Sequence, residues 1–306
     1  MKILVINGSP KGERSNTYKL TRAFLDGIKS VHGDDTEIAV LDVNKLNIKS
    51  CLGCFACWDK TPGRCCISDD MQGVIEKLLW ADITVWSFPL YYFNVPGKLK
   101  CLIDRQLPMI LPFMNTDTVG GGHPTRYDMS GKKTVIISTC GFYTAESNYE
   151  SVTAMFDHIC GQGNYTAVFC GQGELFRVKE LSQRTEEYLG FIRTAGKEYI
   201  SGGISADTRD KLNTLLYPRD VFERMADASW GIDTKSGEKQ DDSLVFTKQM
   251  AAMYRKESYG GRDIVLDMHY TDIDKKYRII LGKDGSRVTE DFSGEYTALI
   301  ETPISV

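Results

Sequence analysis

Five short apolar, β-branched runs, residues 3–6, 37–41, 83–88, 134–139 and 165–170, alternate with segments of helical spacing, and this alternation constrains the fold more than any other feature. Such runs read as strands buried on both faces, which places them in a parallel sheet whose helical crossovers cover it on either side. The helical faces are Leu20, Phe24, Leu25 and Ile28; then Met71, Val74, Ile75, Leu78 and Leu79 behind a cap at Asp69. Val152, Met155, Phe156 and Ile159 form another, and Leu181, Tyr188, Ile192 and Tyr199 mark a helix after the fifth strand. The prediction is an α/β fold with a doubly wound, five-stranded parallel sheet in the order 2-1-3-4-5, its ligands gathered at the carboxyl ends of the strands.

At 306 residues the chain is longer than one core usually fills, so a smaller appendage is expected. The pattern divides it into residues 1–205, a helical connector at 206–240 marked by Val221, Met225 and Trp230, and a small α+β part at 241–306. That last part reads as one helix, residues 244–254, followed by strands at 264–270, 277–281, 287–292 and 296–300. Asp284-Gly285 is a hairpin signal between the second and third of these.

A formal net charge of -4 leaves no basic stripe to collect a polyanion, so nucleic acid is not an expected partner. No apolar run is long enough to span a bilayer, and Met1 leads directly into a strand, so the reading is a cytoplasmic chain without a signal peptide or membrane partner. Nine cysteines in that setting are thiols, ligands or buried apolar residues before they are disulfides.

The loop after the first strand, residues 8–17, runs into a helix, so free backbone N–H groups and the positive end of the helix dipole meet there. Ser9, Ser15, Asn16 and Thr17 can donate hydrogen bonds, and Lys11 or Arg14 can supply charge. Neither a Walker closure nor G-x-G-x-x-G is present, which leaves a hydroxyl-lined site for a monophosphate; the plainer alternative is a strand-to-helix turn capped by Ser15. After strand three, Pro89, Leu90, Tyr91, Tyr92, Phe93 and Asn94 put three adjacent aromatics at the same sheet edge, ahead of the break at Pro96-Gly97. Thr139, Cys140, Gly141 and Phe142 reach that edge from strand four. Together they suit a planar ring system.

Asn7-Gly8-Ser9-Pro10, Ser15-Asn16-Thr17, Pro89-Leu90-Tyr91 and Pro96-Gly97 resemble the motifs of the NADPH-dependent FMN reductases and iron-sulfur flavoproteins, over residues 1 to about 200. The resemblance implies a flavodoxin-like fold with FMN, its phosphate held at the loop and its ring between residues 89–94 and 139–142. It further implies NAD(P)H as co-substrate, a quinone, nitro compound, free flavin or electron-carrier protein as acceptor, and a homodimer or tetramer with the flavin near the subunit boundary. The insertion at 106–133, with Met109, Leu111, Phe113, Met114 and a hinge at Gly120-Gly121-Gly122, departs from the family and is open to reading as a lid, a dimer arm or a solvated loop.

Cys51, Cys54, Cys57 and Cys65 follow C-x2-C-x2-C-x7-C, with Cys66 adjacent. Four thiolates so close can converge on a [4Fe-4S] cluster or on zinc. Redox thiols and a motif that binds nothing are the alternatives. The spacing, Gly63-Arg64-Cys65 and Asp69-Asp70-Met71 are similar to the iron-sulfur flavoproteins, which favours an electron-transfer module as the second function. Cys101, Cys140, Cys160 and Cys170 read as buried apolar residues, with Cys140 facing the ring edge.

Four histidines, His32, His123, His158 and His269, stand in no hydrolase context, and the pairs Asp34-Asp35, Asp69-Asp70 and Asp241-Asp242 read as helix or loop caps. No catalytic acid or base is expected, as suits an enzyme whose cofactor carries the chemistry. The C-terminal segment is similar to the first part of sterol carrier protein domains, whose closing helices would lie beyond Val306; a structural role is expected there rather than lipid binding.

Overall fold

The computed structural model describes residues 1–33, 35–115, 121–233 and 235–304, and it divides into two compact units, Met1–Leu216 and Tyr217–Val306. Asp34 of the first acidic pair and Gly120 of the glycine run lie outside the described residues.

The first unit is built on β1 (Lys2–Asn7), β2 (Glu37–Asp42), β3 (Ile83–Pro89), β4 (Lys133–Thr139) and β5 (Tyr165–Cys170), all parallel, in the order β2-β1-β3-β4-β5. This is the expected five-stranded, flavodoxin-like arrangement. Its helices are α1 (Asn16–His32), α2 (Met71–Trp80), α3 (Gly97–Asp104), α4 (Glu150–Cys160), α5 (Ser182–Ser201) and α6 (Ala206–Leu212). Ile3, Leu4, Val5 and Ile6 are fully buried, as a strand covered on both faces requires. One face meets Met71, Val74, Ile75 and Leu78 of α2 together with Leu99 and Leu102 of α3 and Val152 and Phe156 of α4.

On α1, Leu20, Phe24, Leu25 and Ile28 are buried, and α1 packs lengthwise on α5. Their backbones approach so closely at Gly27 and Gly196 that a Cβ on either would come 2.1 Å from a carbonyl oxygen of the other helix, Arg193 O or Phe24 O. A side chain at either position would force the helices apart.

Two helices were not legible in the sequence. α6 buries only Thr208 and Leu212, too few residues for a periodic signal. α3 is short and follows directly on Pro96, which takes the N-cap position.

The second unit holds α7 (Arg219–Trp230), α8 (Asp242–Ala252), β6 (Ile264–Tyr270), β7 (Lys275–Gly282), β8 (Gly285–Thr289) and β9 (Ala298–Thr302) in a sheet of order β8-β7-β6-β9. The β7–β8 hairpin closes with Gly282 opposite Gly285, at the expected Asp284-Gly285 signal. Met268, Tyr270, Tyr277 and Ile279 pack with Ala251 of α8, and Thr247 Oγ1 and the Tyr270 hydroxyl lie 2.7 Å apart. Trp230, read as part of an apolar face, is 73% exposed: at about 100° per residue it lies opposite Val221 on the helix.

Candidate functional site

In this strand order β1, β3 and β4 are neighbours, so the loops that follow them leave the sheet side by side. Asn7 ends β1 opposite Ser87, and β3 runs on to Pro89 opposite Thr139. The edge lies at the point where strand order reverses, between β1 and β3, which is where open α/β sheets take their ligands.

The first loop is held by its own hydrogen bonds. Asn7 Oδ1 accepts from Ser9 N at 3.1 Å, Ser9 Oγ from Lys11 N at 3.3 Å, and Ser9 O from Gly12 N at 2.9 Å and Asn44 Nδ2 at 2.8 Å. Gly12 sits at φ +58°, where a Cβ would meet Asp42 Oδ2 at 2.9 Å, so only glycine fits both the turn and the contact. After the 3-10 turn Gly12–Arg14, Ser15 caps α1, its Oγ accepting from Tyr18 N at 3.1 Å. The amides of Asn16 and Thr17 have no hydrogen-bond partner among the described residues, as the first turn of a helix dictates. Thr17 Oγ1 lies 2.6 Å from Thr139 Oγ1, and Asn16 Nδ2 donates to Gly173 O at 2.8 Å, which ties the loop to β4 and to the segment after β5. Ser9, Ser15 and Thr17 are buried, whereas Lys11 and Arg14 are exposed.

Asn7 is the site residue that sequence reasoning missed. It is fully buried, and its Nδ2 is a donor without a partner among the described residues. Such a group is costly unless something meets it. The signal was present in the sequence, since an Asn ends an otherwise apolar strand.

The second loop is a tight turn. Tyr91 and Asn94 bond to each other's backbone at 2.9 and 3.0 Å, with Tyr92 at φ 47° and Phe93 at φ 63° between them. Two bulky aromatics in the left-handed region mark a strained turn held by its surroundings. The restraints are visible: Leu90 N donates to Thr139 O at 2.8 Å, Asn94 Oδ1 accepts from Val95 N at 2.8 Å, and Ser151 Oγ donates to Phe93 O. Tyr92 stands 98% exposed, while Phe93 stacks on Phe142 with ring centroids 5.5 Å apart and planes 14° from parallel.

From β4, Gly141 and Phe142 are exposed at the edge, but Cys140 is buried in the core, its thiol directed at Thr144 O at 3.5 Å. Burial pushes that thiol up from its usual range. Phe142, Phe93, Tyr91, Tyr92 and the phosphate-type loop thus meet at one sheet edge, and Cys140 supports them from beneath.

The cysteine segment follows β2. Cys51, Cys54, Cys57, Cys65 and Cys66 line one small cavity of about 20 Å³ together with Arg105, Leu107 and Pro108. That is room for about one water. No group of three or more His, Cys, Asp or Glu residues is arranged to hold a metal ion among the described residues. Cys51, Cys54 and Cys66 are exposed and Cys57 is buried. The Ala56 amide and then the Cys66 thiol hold the Cys54 thiol below its ordinary value, while burial and then the neighbouring Cys65 push Cys57 up.

Arg105, just beyond α3, is 1% exposed and makes a bidentate pair with the buried Asp69, Nη1 to Oδ2 at 2.8 Å and Nη2 to Oδ1 at 2.9 Å; Nη1 also reaches Lys49 O at 2.7 Å. Burial opposes the charge on Asp69, but Arg105 and the amides of Lys49 and Met71 outweigh it and hold the carboxyl below its ordinary range. The N-cap position of α2 is Asp70 rather than the expected Asp69; Asp69, one residue earlier, accepts from Met71 N at 3.1 Å and from Lys49 N at 3.0 Å and so anchors the cysteine segment to the start of the helix. Arg105 Nε is the other buried donor without a hydrogen-bond partner among the described residues; burial opposes the guanidinium's charge, and the Asp69 hydrogen bond and then Cys65 outweigh it.

The insertion folds back on itself through the bridges Ile110–Thr125 and Asn115–Gly122, leaving Phe113 and Met114 67% exposed. His123 packs on Trp58 with ring centroids 4.8 Å apart, and Trp58 Nε1 donates to Leu107 O at 3.2 Å, so the insertion leans on the cysteine segment.

An open parallel sheet that brings a hydroxyl-lined helix N-terminus and an aromatic turn to its switch point defines a flavodoxin-like protein. A family model described as the flavodoxin-like fold matches residues 1–185, and the chain belongs to that family. It is 37% identical over 121 residues to an iron-sulfur flavoprotein of Methanocaldococcus jannaschii, covering 40% of this chain and 60% of that one. It is 40% identical over 105 residues to an iron-sulfur flavoprotein of Archaeoglobus fulgidus, covering 34% and 48%. An FMN-dependent NADH:quinone oxidoreductase of Pseudomonas syringae pv. tomato is 31% identical over 169 residues, covering 52% and 75%. The chain spans about half the length of the iron-sulfur flavoproteins it matches.

Proposed function

We propose that the chain is an FMN-dependent NAD(P)H oxidoreductase that passes reducing equivalents to a quinone, nitro compound, flavin or electron carrier. The observation that carries this reading is the meeting of the phosphate-type loop and the stacked Phe93–Phe142 pair at one sheet edge. The donor set suits a phosphate monoester: the free amides of Asn16 and Thr17, the hydroxyls of Ser9 and Ser15, the charges of Lys11 and Arg14, and the unpartnered Asn7 Nδ2. Leu90, Tyr91, Tyr92, Phe93, Asn94, Gly141 and Phe142 offer apolar faces and backbone groups to a planar ring, while Pro89, Thr139 and Cys140 fix the strand ends beneath them.

Bound FMN would supply acceptance of a hydride from NAD(P)H and its delivery to the acceptor. The protein's part is to orient the two substrates in turn, for which the exposed Tyr91, Tyr92 and Phe142 are available. Steady-state kinetics with NAD(P)H and a benzoquinone should give parallel double-reciprocal lines, and the flavin absorbance should bleach when NAD(P)H is added without oxygen. Intersecting lines would argue against one shared cleft.

Association into a homodimer or tetramer belongs to the same reading, supported by the exposed Phe113, Met114 and Tyr92. So does a cytoplasmic location; no helix among the described residues is long and apolar enough to cross a membrane. The C-terminal unit serves as a structural module in this reading. Its surface cavity is lined by Asp220, Arg224, Arg255, Lys256 and Glu257, a charged wall rather than a lipid tunnel.

The five thiols around one cavity favour a second reading, an electron-transfer module with a [4Fe-4S] cluster at Cys51, Cys54, Cys57 and Cys65. No three of these thiols are set to hold a metal ion among the described residues, so they would have to rearrange to accept a cube. Iron and sulfide analysis of anaerobically purified protein separates the two readings. Iron-free protein with full FMN and brisk turnover would exclude the second.

A further inference from the structure

Cys66 has no place in the four-thiol motif, yet its sulfur lies 3.6 Å from that of Cys54. No other two thiols are joined by a hydrogen bond among the described residues. The contact follows from how the segment doubles back. Trp58 N bonds to Phe55 O at 2.9 Å, Thr61 N to Ala56 O at 2.8 Å, Gly63 N to Cys57 O at 3.0 Å and Arg64 N to Thr61 O at 2.9 Å. These nested turns return residue 66 to residue 54. Beyond them, Lys49 N donates to Asp69 Oδ2 at 3.0 Å and Asp70 N to Asn47 O at 3.2 Å, so both ends of the segment are tied.

Both sulfurs are exposed, whereas Cys57 is 7% exposed and Cys65 half-buried on the Arg105 side. We propose that Cys54 and Cys66 form a redox-active dithiol that closes to a disulfide by exchange with the disulfide of a small thiol. One of the two thiolates attacks a sulfur of the small disulfide, forming a mixed disulfide and releasing one small thiolate, which takes up the proton lost by the attacking thiol. The second cysteine, deprotonated in turn, then attacks the protein sulfur of the mixed disulfide and releases the other. In sum, two protein thiols are oxidised by two electrons, one small disulfide is reduced to two thiols, and both protons go to those thiols.

The second step is intramolecular between sulfurs already in contact, so it outruns attack by another small thiol. The sulfurs need to close from contact to about 2.05 Å, and both lie in an exposed loop. Closure withdraws Cys54 from the set Cys51, Cys54, Cys57 and Cys65, so that four-thiol set is complete only when the dithiol is reduced. The proposal does not depend on the flavin.

The test uses the full chain under anaerobic conditions, equilibrated with glutathione disulfide, quenched in acid, alkylated after denaturation and mapped by mass spectrometry. Two of the nine thiols should disappear together as a Cys54–Cys66 link, and reduced glutathione should restore them. Cys66→Ser should lose the link and trap Cys54 as a glutathione adduct, while Cys65→Ser should keep it, which assigns the sulfur despite the adjacent cysteine. Glutathione adducts without a link in the unmodified chain would overturn the proposal. So would a Cys66→Ser protein in which Cys54 pairs as readily with Cys51, Cys57 or Cys65.

Discussion

The loops that follow β1 and β2 leave neighbouring strands and are held in opposite ways. The loop after β1 is pinned by backbone and short polar side chains, namely Ser9 to Gly12, the Ser15 cap and the Thr17–Thr139 hydroxyl pair, and it ends at a 17-residue helix. The segment after β2 has no long helix near its cysteines and is fastened by one buried ion pair, Asp69–Arg105, from beyond α3. Hydrogen bonds local in sequence shape the turn and cap of the first loop, and the Thr17–Thr139 pair then ties it to β4. A charge pair 36 residues apart can act only once the sheet has assembled.

The comparison breaks most readily at the ion pair. Asp69→Ala leaves Arg105 buried and uncompensated, which should cost about 3–5 kcal/mol in the urea unfolding midpoint and expose Cys57 to faster alkylation. An unchanged midpoint would show that the cysteine segment is held by something else.

Acid probes the same pair without mutation. Because the folded Asp69 carboxyl is held below its ordinary value, its contribution is present above the unfolded value of about 3.9 and is lost as pH falls through the lower, folded one. Thermal unfolding should therefore show a loss on acidification below about pH 4 that Asp69→Asn lacks.

The hydroxyl pair comes next. Thr17→Val leaves the Thr139 hydroxyl buried without its partner, a cost of about 1–3 kcal/mol, and on the proposed function it should weaken FMN binding in equilibrium dialysis by about tenfold. The smallest effect on stability should come from Phe142→Ala. Phe142 is 45% exposed, so the lost stack with Phe93 is worth about 1 kcal/mol or less, and the change should register mainly as a raised KM for the acceptor. A full loss of folding in this variant would show that the aromatic turn is part of the scaffold.

Much of this was legible in the chain itself. The β-branched runs announced all five strands, and Leu20, Phe24 and Ile28 showed which face of α1 is buried, because period and burial are two forms of the same constraint. The loop from Ser9 to Thr17 was readable because its turn and its Ser15 cap join residues only a few positions apart, whereas its ties to Asn44, Thr139 and Gly173 were not. Cys140 was less so: a residue just past a strand can face the edge or the core, and packing against Tyr149 and its neighbours turned it inward. Trp230 failed for a different reason: it is apolar, but the helical period puts it opposite the buried Val221.

Sequence alone determined the order of strand and helix, the hydroxyl-rich loop, the aromatic run and the cysteine spacing, all of which depend on residue type and on separations of a few positions. Tertiary structure alone decided that Arg105 would reach Asp69, that Phe93 would stack on Phe142 and that Cys66 rather than Cys65 would meet Cys54. Those pairings join segments whose distance apart is set by sheet order and by the doubling back of a loop, and neither is written in any short stretch of the chain.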